Sequence, residues 1–139
     1  MSAQEEEAMA PPADARALRV LVVEDEADSA RSLAMLLRLF GHQVEVAPDG
    51  ASALEAARAR PPDVVLLDIR LPGPDGWEVA RRIRGWDAPT RPLLVAVTGY
   101  GSEEDLRRSE EAGIDLHLTK PAEPDQLRWL LARFGDLVD

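Results

Sequence analysis

The sequence predicts an α/β protein: a doubly wound, five-stranded parallel sheet in the order 2-1-3-4-5, flanked by five helices. Three observations carry that prediction. Short apolar runs alternate with longer helical patterns five times across residues 18–139. The first, third and fourth runs are nearly unbroken Val/Leu/Ile, the composition of parallel strands covered on both faces. Five β/α units are too few for a barrel, which needs eight, and right-handed crossovers then place helices on both sides of an open sheet.

Taken in order, residues 1–17 read as a flexible acidic tail, with Glu5, Glu6, Glu7, Pro11 and Pro12 among small residues and no apolar period to bury. A single folded domain is expected over residues 18–139. The strands are predicted at Leu18–Glu24, Gln43–Ala47, Val64–Ile69, Leu93–Thr98 and Leu116–Thr119. The helices are predicted at Asp28–Phe40, Gly50–Arg60, Gly76–Arg84, Glu103–Ala112 and Pro124–Leu137. In the first helix Leu33, Leu36, Leu37 and Phe40 share a face, and in the last Leu127, Leu130, Leu131, Phe134 and Val138 do. Gly41 and Gly113 stand where left-handed caps are wanted, and Ser102 precedes an acidic first turn, Glu103–Glu104–Asp105.

Charge and composition narrow the function. Sixteen Lys+Arg against 26 Asp+Glu give a net charge of −10, so no basic stripe is available for phosphate backbones and direct nucleic-acid binding is not expected. With no cysteine, disulfides, thiol catalysis and cysteine-ligated metals are excluded. No apolar run approaches the roughly 20 residues that span a bilayer, and the acidic N-terminus lacks the basic region of a secretory signal. A cytoplasmic protein is the expectation.

In a sheet of this order, chemistry gathers at the carboxyl ends of the strands. There the first strand supplies Glu24, Asp25 and Glu26, the third Asp68, the fourth Thr98 and Gly99, and the fifth Lys120 and Pro121. Three carboxylates in one crevice repel one another and call for a cation. Hard oxygen donors without His or Cys beside them in sequence select Mg²⁺, or Mn²⁺. A lysine and a hydroxyl opposite complete what an anionic phosphoryl group requires, and Asp68, between the two sets, is the natural nucleophile. Glu26 reads as a solvated residue at the start of the first helix, and His42 as a surface loop residue.

The segments VLVVEDE, VVLLDIRLPGPDGWEVAR, VAVTGYG and LTKP, in this order and at these distances, resemble the receiver domain of two-component response regulators, a flavodoxin-like fold. The resemblance covers Leu18 to Val138. It implies that Asp68 accepts a phosphoryl group from the histidine of a sensor or hybrid histidine kinase or of a phosphotransfer protein. By the same resemblance Asp25 is a direct Mg²⁺ ligand, Glu24 acts through water, and the backbone carbonyl of Arg70 is a further ligand. Thr98 and Lys120 close on the phosphoryl group, and the amide of Gly99 faces it. The resemblance also implies a cis Lys120–Pro121 bond and signalling through the strand 4–helix 4–strand 5 face. The module is not expected to be an enzyme with a diffusible substrate, although it contributes to its own phosphorylation and slow dephosphorylation.

The sequence departs from the family at three places. His117 stands three positions before the lysine, where an aromatic switch residue is usual. Either His117 or Tyr100 then fills the switch role, or His117 is a half-buried edge-strand histidine. Ala122 replaces a large apolar residue after Lys–Pro, and Arg70 places a cation two residues after Asp68. Met35 and Leu39 fall outside the apolar stripe of the first helix, and Trp129 falls opposite that of the last. Met35 and Leu39 are candidate contacts for the phosphodonor, and Trp129 for an effector or a second copy. Among rivals, an aspartyl phosphohydrolase wants an acid where Arg70 stands, and a flavin domain wants a Ser/Thr/Gly-rich loop where Glu24–Asp25–Glu26 would repel the phosphate. A degenerate receiver would lack some of the five site residues.

Overall fold

Four helices begin where a side chain takes over the orphaned amides of the first turn. In the computed structural model, which describes residues 16–88, 91–99 and 101–137, these caps are Glu26, Asp49, Asp75 and Ser102. The elements are β1 (Arg19–Val23), α1 (Ala27–Leu39), β2 (Gln43–Ala47), α2 (Gly50–Ala59), β3 (Val64–Leu67), α3 (Gly76–Arg84), β4 (Leu93–Thr98), α4 (Glu103–Ala112), β5 (Leu116–Thr119) and α5 (Pro124–Leu137). Of the expected tail, residues 1–15 lie outside the described residues, as do Tyr100 and Val138.

All neighbouring strands pair in parallel, in the order β2-β1-β3-β4-β5. Side chains alternate between faces along each strand, so the sheet divides its apolar residues by parity. Leu21, Val23, Val65, Leu67, Leu94 and Ala96 pack under α2 and α3, against Ala53, Trp77, Val79 and Ile83. Val20, Val22, Val64, Leu66, Val95 and Val97 pack under α1 and α5, against Leu37, Leu127 and Leu131. Every residue of β3 is buried, as expected for the central strand. Each such Val or Leu contributes roughly 1.5–3 kcal/mol relative to exposure.

The end of the sheet away from the carboxyl termini is closed by an arginine. Arg84 donates to the carbonyls of Gly113 and Pro92, each at 2.8 Å, and pairs with Asp115 at 2.6 Å. Asp115 also accepts the amide of Leu94 at 2.9 Å. Gly113 ends α4 at φ +91°, and a Cβ there would stand 2.6 Å from the Arg84 Cγ.

One expectation is corrected and another extended. His42 is half-buried rather than a surface loop residue, because its Nδ1 accepts the amide of Leu18 at 3.1 Å, the residue that leads into β1. Burial holds its imidazole below the ordinary histidine value. Glu26 is exposed as expected, but it is also the cap of α1, accepting the amides of Asp28 and Ser29 at 3.1 and 2.8 Å. The Ser29 hydroxyl, first, and these two amides lower its carboxyl below the ordinary range.

Candidate functional site

The parallel strands deliver their next residues to one edge. Backbone bonds fix the spacing there: Asp68 N–H donates to Val23 O at 3.0 Å, Glu24 N–H to Ala47 O at 3.1 Å, and Lys120 N–H to Thr98 O at 2.7 Å. Glu24, Asp68 and Thr98 are buried, and Asp25 is exposed at the rim. β3 ends at Leu67 rather than Ile69, so Asp68 stands just beyond the ladder, on the loop that leads to α3.

That loop is pinned from behind. Gly76, the first residue of α3, donates its amide to Ile69 O at 2.9 Å. A Cβ on Gly76 would fall 2.6 Å from both the carbonyl oxygen of Asp68 and the Cα of Ile69, so only glycine allows so close an approach. At the start of α2, a Cβ on Gly50 would fall 2.2 Å from the carbonyl oxygen of Pro74, in the same loop.

Lys120 bridges two carboxylates. Its Nζ lies 2.5 Å from Glu24 Oε1 and 3.0 Å from Asp68 Oδ2. The other oxygen of Asp68 accepts the Arg70 amide at 3.0 Å, and the other oxygen of Glu24 accepts the Glu26 amide at 3.2 Å. Burial acts to lower the Lys120 ammonium, but the hydrogen bonds and charges of Glu24 and Asp68 outweigh it, and the net shift is upward. One ammonium does not balance three carboxylates: Glu24, Asp25 and Asp68 offer oxygens that all lie within 4.8 Å of one another. This hard-oxygen set fits a small divalent cation.

The remaining predicted residues divide. Thr98 closes β4 beside its register partner Thr119, on the site edge. Gly99 is exposed, with open space where a Cβ would be, which leaves the edge accessible. The Arg70 side chain, 72% exposed, reaches away from Asp68 to Asp105 of α4 at 3.7 Å. His117 is not at the crevice: it is half-buried, with Nε2 2.6 Å from the hydroxyl of Ser109. Burial holds its imidazole below the ordinary value, partly offset by Asp105. Met35, Leu39 and Trp129 are exposed by 58%, 81% and 62%. Ala122 lines a cleft of about 510 Å³ that runs from Glu24, Asp68 and Lys120 along Leu33 and Leu36 of α1. Ser109 and Trp77 carry no functional signal by residue type alone. A lone serine within the charged run of α4 was the available signal for the first.

The chain matches the family model of the response regulator receiver domain over residues 20–132. It is 39% identical over 127 residues to the probable transcriptional regulatory protein TcrX of Mycobacterium tuberculosis, covering 88% of this chain and 53% of that protein. The chain thus spans about half the length of that relative. Among solved structures, chemotaxis protein CheY4 of Vibrio cholerae superposes with a TM-score of 0.80 at 27% identity, covering 86% of this chain and 99% of the other. The receiver domain of sensor histidine kinase PA1611 from Pseudomonas aeruginosa PAO1, solved with a magnesium ion coordinated in its active site cleft, gives a TM-score of 0.79 at 29% identity, covering 87% and 99%.

Proposed function

The chain belongs to the response regulator receiver domain family, and from that premise we propose that Asp68 is its phosphoacceptor. One observation carries the reading: a nearly buried Asp68 carboxylate sits 3.0 Å from the ammonium of Lys120 and within 4.8 Å of the Glu24 and Asp25 oxygens. An Asp68 oxygen attacks the phosphorus of a phosphohistidine. The new O–P bond forms as the P–N bond breaks, and the electron pair leaves with the imidazole of the donor. Lys120 turns from the carboxylates to pair with the arriving phosphoryl oxygens. The Thr98 hydroxyl and the Gly99 amide donate to the same oxygens.

Asp25, Asp68 and the carbonyl of Arg70 would hold Mg²⁺, or Mn²⁺, with Glu24 acting through water. Such an ion supplies positive charge against the phosphoryl oxygens. At the position two residues past the nucleophile, Arg70 offers no proton to a leaving group, which favours a phosphoacceptor module over a phosphohydrolase. The donor is a sensor or hybrid histidine kinase or a histidine phosphotransfer protein. It docks against α1 through Met35 and Leu39, beside the cleft floored by Ala122. The effector engages the β4–α4–β5 face, and the exposed Trp129 of α5 is a contact for the effector or a second copy of the chain. Thr98 and His117 are the switch residues.

The test is incubation with MgCl₂ and acetyl phosphate, followed by intact mass. Wild-type protein should gain one phosphoryl group. Asp68→Asn, or wild type with a chelator, should gain none; labelling of Asp68→Asn equal to wild type would overturn the assignment.

A further inference from the structure

Helix α4 is an amphipathic helix with almost nothing apolar to bury. Its one large apolar side chain, Leu106, is 45% exposed, and its buried positions are Ser109 and Ala112. By contrast α5 seats Leu127 and Leu131 with no exposure at all. What fixes α4 in place is polar. Ser109 is 1% exposed, and its hydroxyl accepts the indole N–H of Trp77 at 2.8 Å while sharing a 2.6 Å hydrogen bond with Nε2 of His117. The guanidinium of Arg108 covers the other side of the joint, 3.9 Å from the Trp77 ring centre.

Both partners of Ser109 hang from elements whose ends make the phosphoacceptor site. Trp77 follows Gly76, the residue pressed against the Asp68 carbonyl. His117 lies on β5 opposite Ala96, two steps before the Thr98–Thr119 pair and three residues before Lys120. One turn before Ser109, Asp105 reaches the Arg70 side chain. Two hydrogen bonds at Ser109 and the Lys120–Asp68 pair, joined by the chain from Gly76 to Trp77 and from His117 to Lys120, close a circuit through the Asp68 loop.

We propose that Ser109 is a positioning residue whose bridge between Trp77 and His117 seats α4 and couples the Asp68 site to the α4–β5 face; the proposal rests on Asp68 being the phosphoacceptor. The bridge belongs to the arrangement in which Lys120 is closed on Asp68 and Glu24. When a phosphoryl group draws Lys120 and the Asp68 loop into a new arrangement, β5 and the start of α3 carry His117 and Trp77 with them. A single hydroxyl cannot follow both, so the bridge yields and α4, with few apolar contacts to retain it, shifts. A sign follows from linkage: whatever stabilises the resting seat opposes occupation of the distant site, and removing it must tighten binding there.

The experiment measures beryllofluoride binding in MgCl₂ by calorimetry, and amide exchange along α4, for wild type, Ser109→Ala and His117→Phe. Ser109→Ala removes the bridge at its centre and His117→Phe cuts only its β5 end, so either one that folds suffices. Loss of one net hydrogen bond from the resting state should tighten beryllofluoride binding about three- to tenfold. It should also raise α4 exchange in the free variant to the level of wild type with beryllofluoride. A role confined to stability would raise exchange without tightening binding. Folded variants with unchanged or weaker beryllofluoride affinity would overturn the coupling alone. Wild-type protein that binds no beryllofluoride would overturn the phosphoacceptor reading and the coupling with it.

Discussion

Replacing Lys120 by methionine keeps the aliphatic stem and removes the charge. Its ammonium contacts Glu24 at 2.5 Å and Asp68 at 3.0 Å, against carboxylate side chains only 7% and 11% exposed. Removing one partner of a buried pair costs about 3–5 kcal/mol, because the other is left uncompensated. The lysine side chain is itself 34% exposed, so water screens part of that loss. We expect a net cost of about 2 kcal/mol, which with a urea slope of about 1–3 kcal/mol per molar moves the unfolding midpoint by about 1 M. The three carboxylates of the crevice then lack their ammonium, so MgCl₂ should recover more stability in Lys120→Met than in wild type. The assay is urea unfolding followed by circular dichroism, with and without MgCl₂. A midpoint unchanged in metal-free buffer, or one that gains the same increment from MgCl₂ in both proteins, would refute the reasoning.

Three further outcomes are expected. Burial holds His42 and His117 both below the ordinary histidine value of 6.5, so as pH falls through 6.5 the unfolded chain binds more protons and stability declines toward the lowered folded values. His42→Asn keeps an acceptor for the Leu18 amide, and its urea midpoint should fall less steeply than that of wild type between about pH 7.5 and 5.5; equal slopes would count against it. Gly113→Ala forces a side chain into left-handed backbone and against the Arg84 stem, and should lower stability by about 1–3 kcal/mol in thermal unfolding; a neutral result would mean that Arg84 relocates freely. Met35→Lys should slow phosphoryl transfer from a phosphorylated histidine phosphotransfer protein and leave labelling by acetyl phosphate unchanged, whereas equal rates with the protein donor would exclude α1 from docking.

The parts of the fold that depend on short-range pattern were legible. The unbroken apolar run of the third strand needs only sequence, right-handed crossovers put helices on both faces, and five such units most often take the order observed. The meeting of Glu24, Asp68 and Lys120 followed, because parallel strands end on one edge. Three features were not legible. Glu26 caps α1 although shorter side chains usually fill that place, so its type gave no signal. His42 is covered through Leu18, 24 residues away, and burial of a loop residue is a tertiary fact. Ser109 sits in a run that reads as a solvated charged face, and its partners lie 32 and 8 residues distant.

Beneath Asp68, the glycines that open α2 and α3 let backbone meet backbone without side chains between. Such a foundation has no slack for mutational drift. The residues here that face outward, such as Arg70 and Pro72, are where substitution is expected to be tolerated. A lineage descended from this chain could therefore retune how long its signal persists or whom it addresses, while the bed on which the signal is written stays fixed.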